Sequence, residues 1–355
     1  RYAALARKEA EDCSSLVRKE ELLKIAANCE QVPAKPARTF WEACQSFWFV
    51  QLLLQVESSG HSISPGRFDK YMYPYLKADV EKGIYTKETA LEMVEDFFLS
   101  FNKDSDLYVG VQQGDNGQSM MLGGVDENGK EVFNLLSELC LEASRNLLLI
   151  DPKINLRVNR ETPLSVYEKA TELTECGLGF PQYENDDVAI PGLMALGYEE
   201  ADARDYAMAA CWEFIIPGVG NDIANIGAVN FPAVIDKTIR QTIPTAKTFK
   251  AVLSAMIDNI EEECNKITDN IHDILVAPSP VMDLMRDAKK YNNFGIHGSG
   301  IASAADALAA VEKFVFDEKS VSPERLIEAL DTNFENDPEL FHMLRYEAPK
   351  MGQNN

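Results

Sequence analysis

The sequence predicts an α/β protein folded as one compact unit. Three observations predict it. Helical periodicities recur along the whole chain, short extended runs separate them, and no repeat, low-complexity tract or evident linker interrupts the 355 residues. The composition, 46% hydrophobic and 26% charged, is that of a globular protein with enough chain for a large core.

The elements follow in order. Residues 1–30, rich in Ala, Glu, Lys and Leu, read as one amphipathic helix, which Pro33 and Pro36 end. Residues 39–57 space Phe40, Ala43, Phe47, Val50, Leu53 and Leu54 as a buried helix, with Thr39 as N-cap and Glu42 three residues on. Residues 60–69 are a polar loop, followed by Tyr71, Tyr73 and Tyr75. A helix capped by Thr86 spans 86–102. The Gly-rich stretch 114–124 holds neither a dinucleotide fingerprint nor a Walker lysine, so phosphate cradling has no support. Residues 126–129 are a turn, and 134–146 a helix.

In 152–158, Ile154, Leu156 and Val158 alternate with Asn155 and Arg157, the pattern of a strand. Residues 163–176 are a helix ended by Gly177. Residues 179–187 read as a short strand and then a loop, and 199–206 as a short acidic helix. Beyond the run around Cys211, residues 220–227 read as a loop. Helices follow at 230–242 and 247–271, an extended run at 291–300 and a helix at 303–316. Ser322 and Pro323 start another.

Charge and composition narrow the function. A net charge of −23 repels nucleic-acid backbones and anionic membranes. No apolar run approaches the roughly eighteen residues of a membrane span, and no basic-then-apolar leader is present. The chain opens at Arg1-Tyr2 without an initiator Met and stops at Asn354-Asn355, which predicts a piece of a longer protein. Seven scattered cysteines without a Cys-x-x-Cys pair argue against a disulfide framework or a thiolate metal site, and for a reducing cytoplasm. The four histidines form no His-Glu-x-x-His helix, so no metal is expected.

The most informative segment is Ala207-Met208-Ala209-Ala210-Cys211-Trp212-Glu213-Phe214-Ile215-Ile216. As a strand it projects Cys211 and Glu213 to one side and Trp212 and Phe214 to the other. A carboxylate in an apolar strand is costly unless paired or used. A thiol beside it supplies a reactive sulfur, and Glu213 can move a proton. The competing reading is a buried structural thiol beside a strand-end carboxylate.

Several segments together carry a resemblance. They are Pro36-Ala37-Arg38-Thr39-Phe40-Trp41-Glu42-Ala43, His61-Ser62-Ile63-Ser64-Pro65-Gly66-Arg67-Phe68-Asp69 and Gly123-Gly124-Val125-Asp126. Gly177-Leu178-Gly179-Phe180-Pro181-Gln182-Tyr183, Cys211-Trp212-Glu213 and Ala348-Pro349-Lys350-Met351-Gly352 complete the set. In order and spacing the chain resembles the central part of the glycyl radical enzymes, the pyruvate formate-lyase-like superfamily.

The resemblance implies a ten-stranded α/β barrel of two antiparallel five-stranded halves surrounded by helices. Residues 1–355 would be part of that single barrel domain, with the N-terminal portion and the C-terminal glycyl radical domain absent. It implies an anaerobic cytoplasmic enzyme, commonly a homodimer. Its glycyl radical lies on a residue not present here and is installed by an S-adenosylmethionine-dependent iron–sulfur activase. Cys211 matches the cysteine that becomes a thiyl radical, and Glu213 the general acid or base of the eliminase branch. A radical needs a site shielded from water and O₂, which places the pair inside a packed barrel. His61 and Ser62 match a polar pair that binds substrate hydroxyls in diol dehydratases, and Asn225 a weaker pocket position; a capped structural loop is the competing reading for His61 and Ser62. Arg67 and Asp69 read as a structural ion pair. Tyr183, Phe180 and residues 297–299 either line the barrel or belong to its core.

Ala210 precedes Cys211 where pyruvate formate-lyase has a second cysteine, which disfavours acyl transfer. The implied activity is cleavage of a C–O, C–N or C–S bond in a small polar molecule. The alternatives are an arylacetate decarboxylase, a formate C-acetyltransferase-like activity, and a non-catalytic fragment or scaffold. A cysteine hydrolase needs a histidine beside Cys211, and no local pattern offers one.

Overall fold

The structure is a computed structural model that describes residues 1–58, 62–103, 117–271, 279–286 and 290–353. In chain order the first elements are α1 (Tyr2–Asp12), α2 (Leu16–Gln31), α3 (Phe40–Ser58), α4 (Phe68–Glu81) and α5 (Lys87–Ser100). Next come β1 (Ser119–Gly123), α6 (Leu135–Leu147), β2 (Lys153–Val158), α7 (Leu164–Thr174), β3 (Gln182–Asn185), α8 (Asp186–Ala195) and α9 (Glu200–Arg204). The rest are β4 (Ala207–Ala209), β5 (Glu213–Ile215), β6 (Ile223–Asn230), α10 (Phe231–Thr242), α11 (Phe249–Asp269), α12 (Pro280–Leu284), β7 (Phe294–Ser299), α13 (Ile301–Val311), α14 (Pro323–Asp331) and α15 (Pro338–His342). The fold is mixed α/β. The described strands form a three-stranded parallel sheet β1-β2-β3, an antiparallel pair β4-β5 and a parallel pair β6-β7.

The chain groups into two compact units, Arg1–Asn221 with Pro278–Tyr291, and Asp222–Ala277 with Asn292–Asn355. In the first unit, Met120, Leu122, Ile154, Leu156 and Val158 face one side of the parallel sheet. There they pack on Phe40, Phe68, Leu76, Phe97, Leu139 and Ala170 from the surrounding helices. Tyr183 and Phe180 join this core. The opposite face carries Ser119, Met121, Asn155, Arg157, Gln182 and Glu184, since partners in register share a face. Both faces of β2 are buried, as expected of a central parallel strand. In the second unit, Val234, Ile235, Val252, Val311, Phe314 and Leu326 make a separate core beside β6 and β7.

Sequence and structure differ at specific places. The expected helix over 1–30 is two helices, because Ser15 caps α2 by accepting from the Arg18 amide at 3.3 Å. The tyrosines after residue 69 lie in α4, which carries Pro74 within it. The loop expected after β3 is helix α8, capped by Asn185. The loop expected over 220–227 is largely strand β6, with a register irregularity between Ile223 and Gly227.

Candidate active site

The run around Cys211 is not one strand. β4 and β5 are antiparallel, with Ala209 opposite Glu213, so Ala210, Cys211 and Trp212 form a three-residue hairpin loop. The first loop residue, Ala210, takes a left-handed conformation, with φ +52°. Cys211 and Trp212 stand exposed at the tip, and Glu213 is half-buried just behind it. The expected same-face strand geometry is therefore corrected.

A different relation links the Glu213 carboxylate to the backbone of Cys211. Glu213 Oε2 accepts from the backbone N–H of Cys211 at 2.7 Å and of Trp212 at 2.8 Å. The carboxylate folds back over the loop and fixes the peptide units on both sides of the cysteine side chain. Charge-assisted bonds of this kind are about twice as strong as neutral ones.

Two segments far away in sequence grip the loop from below. Ser119 Oγ donates to the Ala210 carbonyl at 2.6 Å, and the Ala210 amide donates to Ser64 Oγ at 3.4 Å. Ser64 also accepts from the Ser119 amide at 3.1 Å and bonds the Ser62 and Gly117 carbonyls at 3.2 Å. A Cβ on Gly117 would lie 3.2 Å from Ser62 Oγ and 3.3 Å from Ala210 Cα, so glycine permits this approach. Ser62 thus stands beside the cysteine loop. The buried amides of Gln51, Gln55 and Gln118 hold the same segments: Gln51 Nε2 donates to the Ile63 carbonyl at 2.7 Å, and both Gln51 and Gln55 donate to Gln118 Oε1 at 3.1 Å.

The base of the hairpin is fixed by charge. Arg157 forms a two-pronged pair with Asp186, at 2.7 and 3.0 Å, and donates to the Tyr206 carbonyl at 3.1 Å. The Tyr206 hydroxyl donates to Asp186 at 2.8 Å, and the guanidinium lies 4.0 Å from the centre of the Tyr206 ring. Arg67 pairs with Asp205 at 3.0 Å rather than with Asp69, so the expected Arg67–Asp69 pair is corrected. Burial pushes the Arg67 guanidinium down, with Arg157 adding to the effect. Asp69 accepts from the Gly123 amide at 2.7 Å and from Ser137 Oγ at 2.6 Å, and burial pushes its carboxyl up to about 6.

His61 lies outside the described residues. Asn225 is an exposed residue of β6 in the second unit. Ser64, Gly117 and Ser119 were not singled out from sequence as site residues. Ser64 lies in a segment that carries the resemblance, but a serine that grips a distant backbone has no local pattern. All seven cysteines are free thiols, and among the described residues no group of His, Cys, Asp and Glu is placed to hold a metal. No helix among those residues is long and apolar enough to cross a membrane.

Comparison with known proteins gives one consistent answer. The family model described as "Pyruvate formate lyase-like" matches residues 1–355. The chain is 32% identical to the (2S)-3-sulfopropanediol dehydratase of Klebsiella oxytoca, over 97% of this chain and 46% of that protein. It is 29% identical to the isethionate sulfite-lyase of Desulfovibrio desulfuricans, over 100% of this chain and 48% of that protein. The structure superposes on the glycerol-bound B12-independent glycerol dehydratase of Clostridium butyricum with a TM-score of 0.83 and 31% identity, covering 98% of this chain and 48% of that one. The chain thus spans about half the length of the relatives it matches.

Proposed function

We propose, from the premise that this chain belongs to the pyruvate formate lyase-like family of glycyl radical enzymes, that the whole protein is a radical dehydratase or lyase. Its substrate is a small polar molecule with a hydroxyl beside a C–O, C–N or C–S bond. One observation carries the reading: Cys211 rides at the tip of a hairpin loop whose peptide groups are held by the Glu213 carboxylate two residues on. A structural thiol is ordinarily buried and needs no such clamp.

The family's glycyl radical, installed by an S-adenosylmethionine-dependent activase, supplies the unpaired electron that makes Cys211 a thiyl. Cys211 then takes a hydrogen atom from the carbon that bears the substrate hydroxyl. Glu213 accepts the hydroxyl proton and returns it to the leaving group, which departs as water, sulfite or an amine. The adjacent carbon radical recovers a hydrogen atom from Cys211. The substrate loses only the protonated leaving group, so the cycle is redox-neutral and the thiyl is regenerated. Ser62 beside the loop, with His61, orients the substrate. The same reading takes residues 1–355 as part of one ten-stranded barrel of two antiparallel halves, in a cytoplasmic homodimer.

The test is anaerobic activation of the whole protein, followed by incubation with glycerol, propane-1,2-diol, sulfopropanediol, isethionate and trans-4-hydroxyproline. The expected result is an aldehyde or other dehydration product, or sulfite, from one of them together with a glycyl radical signal. A radical signal with no turnover of any diol, amino alcohol or hydroxysulfonate overturns the eliminase reading.

A further inference from the structure

Glu184 lies in β3 with 3% of its surface exposed, an expensive position for a charge. Its register partner on β2 is Arg157, while Asn155 and Gln182 stand two residues back on the same face. The Cys211 hairpin lies on this face. Ser119 holds Ala210 there, Arg157 holds the Tyr206 carbonyl, and Met121 packs with Tyr206, Ala207 and Met208.

The cluster is short of hydrogen-bond donors. Asn155 Nδ2 donates to Gln182 Oε1 at 2.9 Å and to Glu184 Oε1 at 2.8 Å. Asn155 Oδ1 and Glu184 Oε2 are both sealed from solvent, and neither has a partner among the described residues. Turning the Asn155 amide over does not help, because it sets an acceptor against two acceptors. A proton on Glu184 Oε2 converts one orphaned acceptor into a donor. Burial works in the same direction and pushes this carboxyl up to about 8, against Asn155 and Arg157 and with Asp186.

We propose that Glu184 is a positioning residue, held as a neutral carboxylic acid beneath the Cys211 hairpin, and that its ionisation loosens the base of that hairpin. The groups that face it are Asn155 and Arg157 of β2, Gln182 of β3, Asp186 at the start of α8, and Tyr206 ahead of β4. A carboxylate at Glu184 competes with Asp186 for Arg157 and repels Asp186. Tyr206 joins that pair to the hairpin through its carbonyl, hydroxyl and ring, so weakening the pair frees the base of the loop. The link to turnover rests on the reading of Cys211 above, whereas the order of the hairpin does not.

The experiment is amide hydrogen exchange over residues 207–215 between pH 6.5 and 9.5, corrected for the intrinsic rate of each amide. It is run in a Cys211→Ser background, so that ionisation of the thiol does not enter and no catalysis is needed. The solvated carboxyl of an opened hairpin has an ordinary pKa near 4.3. The opening constant is therefore expected to rise about tenfold per pH unit up to about pH 8, and then to level off. Adding Glu184→Gln, which keeps the shape and cannot ionise, should remove that rise. A flat profile with Glu184 in place overturns the proposal, and so does an equal rise in the Gln variant. If the Gln variant does not fold, the profile with Glu184 decides alone. Failure of substrate turnover would count against the eliminase reading and leave this measurement untouched.

Discussion

At the scale of single residues, Glu213 clamps the loop, and the proton transfer proposed for it is a separable duty. Glu213→Ala removes the acceptor for two backbone amides, and thermal melting should show a loss of about 1–3 kcal/mol. Glu213→Gln keeps an oxygen that can accept. Its melt should stay near that of the parent, while turnover in the activated whole protein falls by about two orders of magnitude or more. Equal turnover would leave Glu213 as a clamp alone. Cys211→Ser should abolish turnover and leave the glycyl radical signal in place; retained turnover removes Cys211 from the chemistry. Sequence showed that Cys211 and Glu213 belong together, but not how. Two residues apart means one face only if the chain stays extended. Here Ala210 turns with a positive φ that alanine rarely adopts, so nothing local announced the hairpin.

At the scale of elements, the helices were legible where a cap and a periodic stripe coincide. Thr86 with Thr89 starts α5 and Asn134 with Ser137 starts α6, each as a reciprocal capping box. β2 was legible from its alternation. β1 was not, because Ser-Met-Met-Leu-Gly is buried on both faces and lacks β-branched residues, leaving no period of two. β6 was hidden by its Asn and Gly and by the irregularity after Ile223. The end of β1 carries its own constraint. Gly124 has φ +72°, and a Cβ there would lie 2.7 Å from Arg157 Cβ and 2.5 Å from its Nε. Gly124→Ala should therefore displace Arg157 from Asp186 and Tyr206, and destabilise by about 3 kcal/mol or more in denaturant unfolding. A change below about 1 kcal/mol would mean that the strand end shifts freely.

At the scale of the whole molecule, charge sets the response to pH. Asp69 and Glu184 hold their protons more tightly when folded, at about 6 and about 8. The stability they contribute is fully present below about pH 4. It drains away up to pH 6 for Asp69 and up to pH 8 for Glu184. Opposite in sign are carboxylates held low by partners, such as Glu42 beside Arg38 and Asp337 beside Arg325, whose contribution is lost as pH falls below about 4. The net charge of −23 at pH 7 adds self-repulsion that acid relieves. The melting temperature should therefore be higher near pH 5 than near pH 8, and scans across that range check it; a flat or rising profile contradicts the assignment of both buried acids. The grip on the cysteine loop has a consequence for folding. It joins Ala210 to Ser64 across 146 residues and to Ser119 across 91. Closures of such length come late, after local helices have formed. A half-folded chain can thus be rich in helix while the Cys211 loop is still unmade, so the geometry around Cys211 arrives only with the finished tertiary structure.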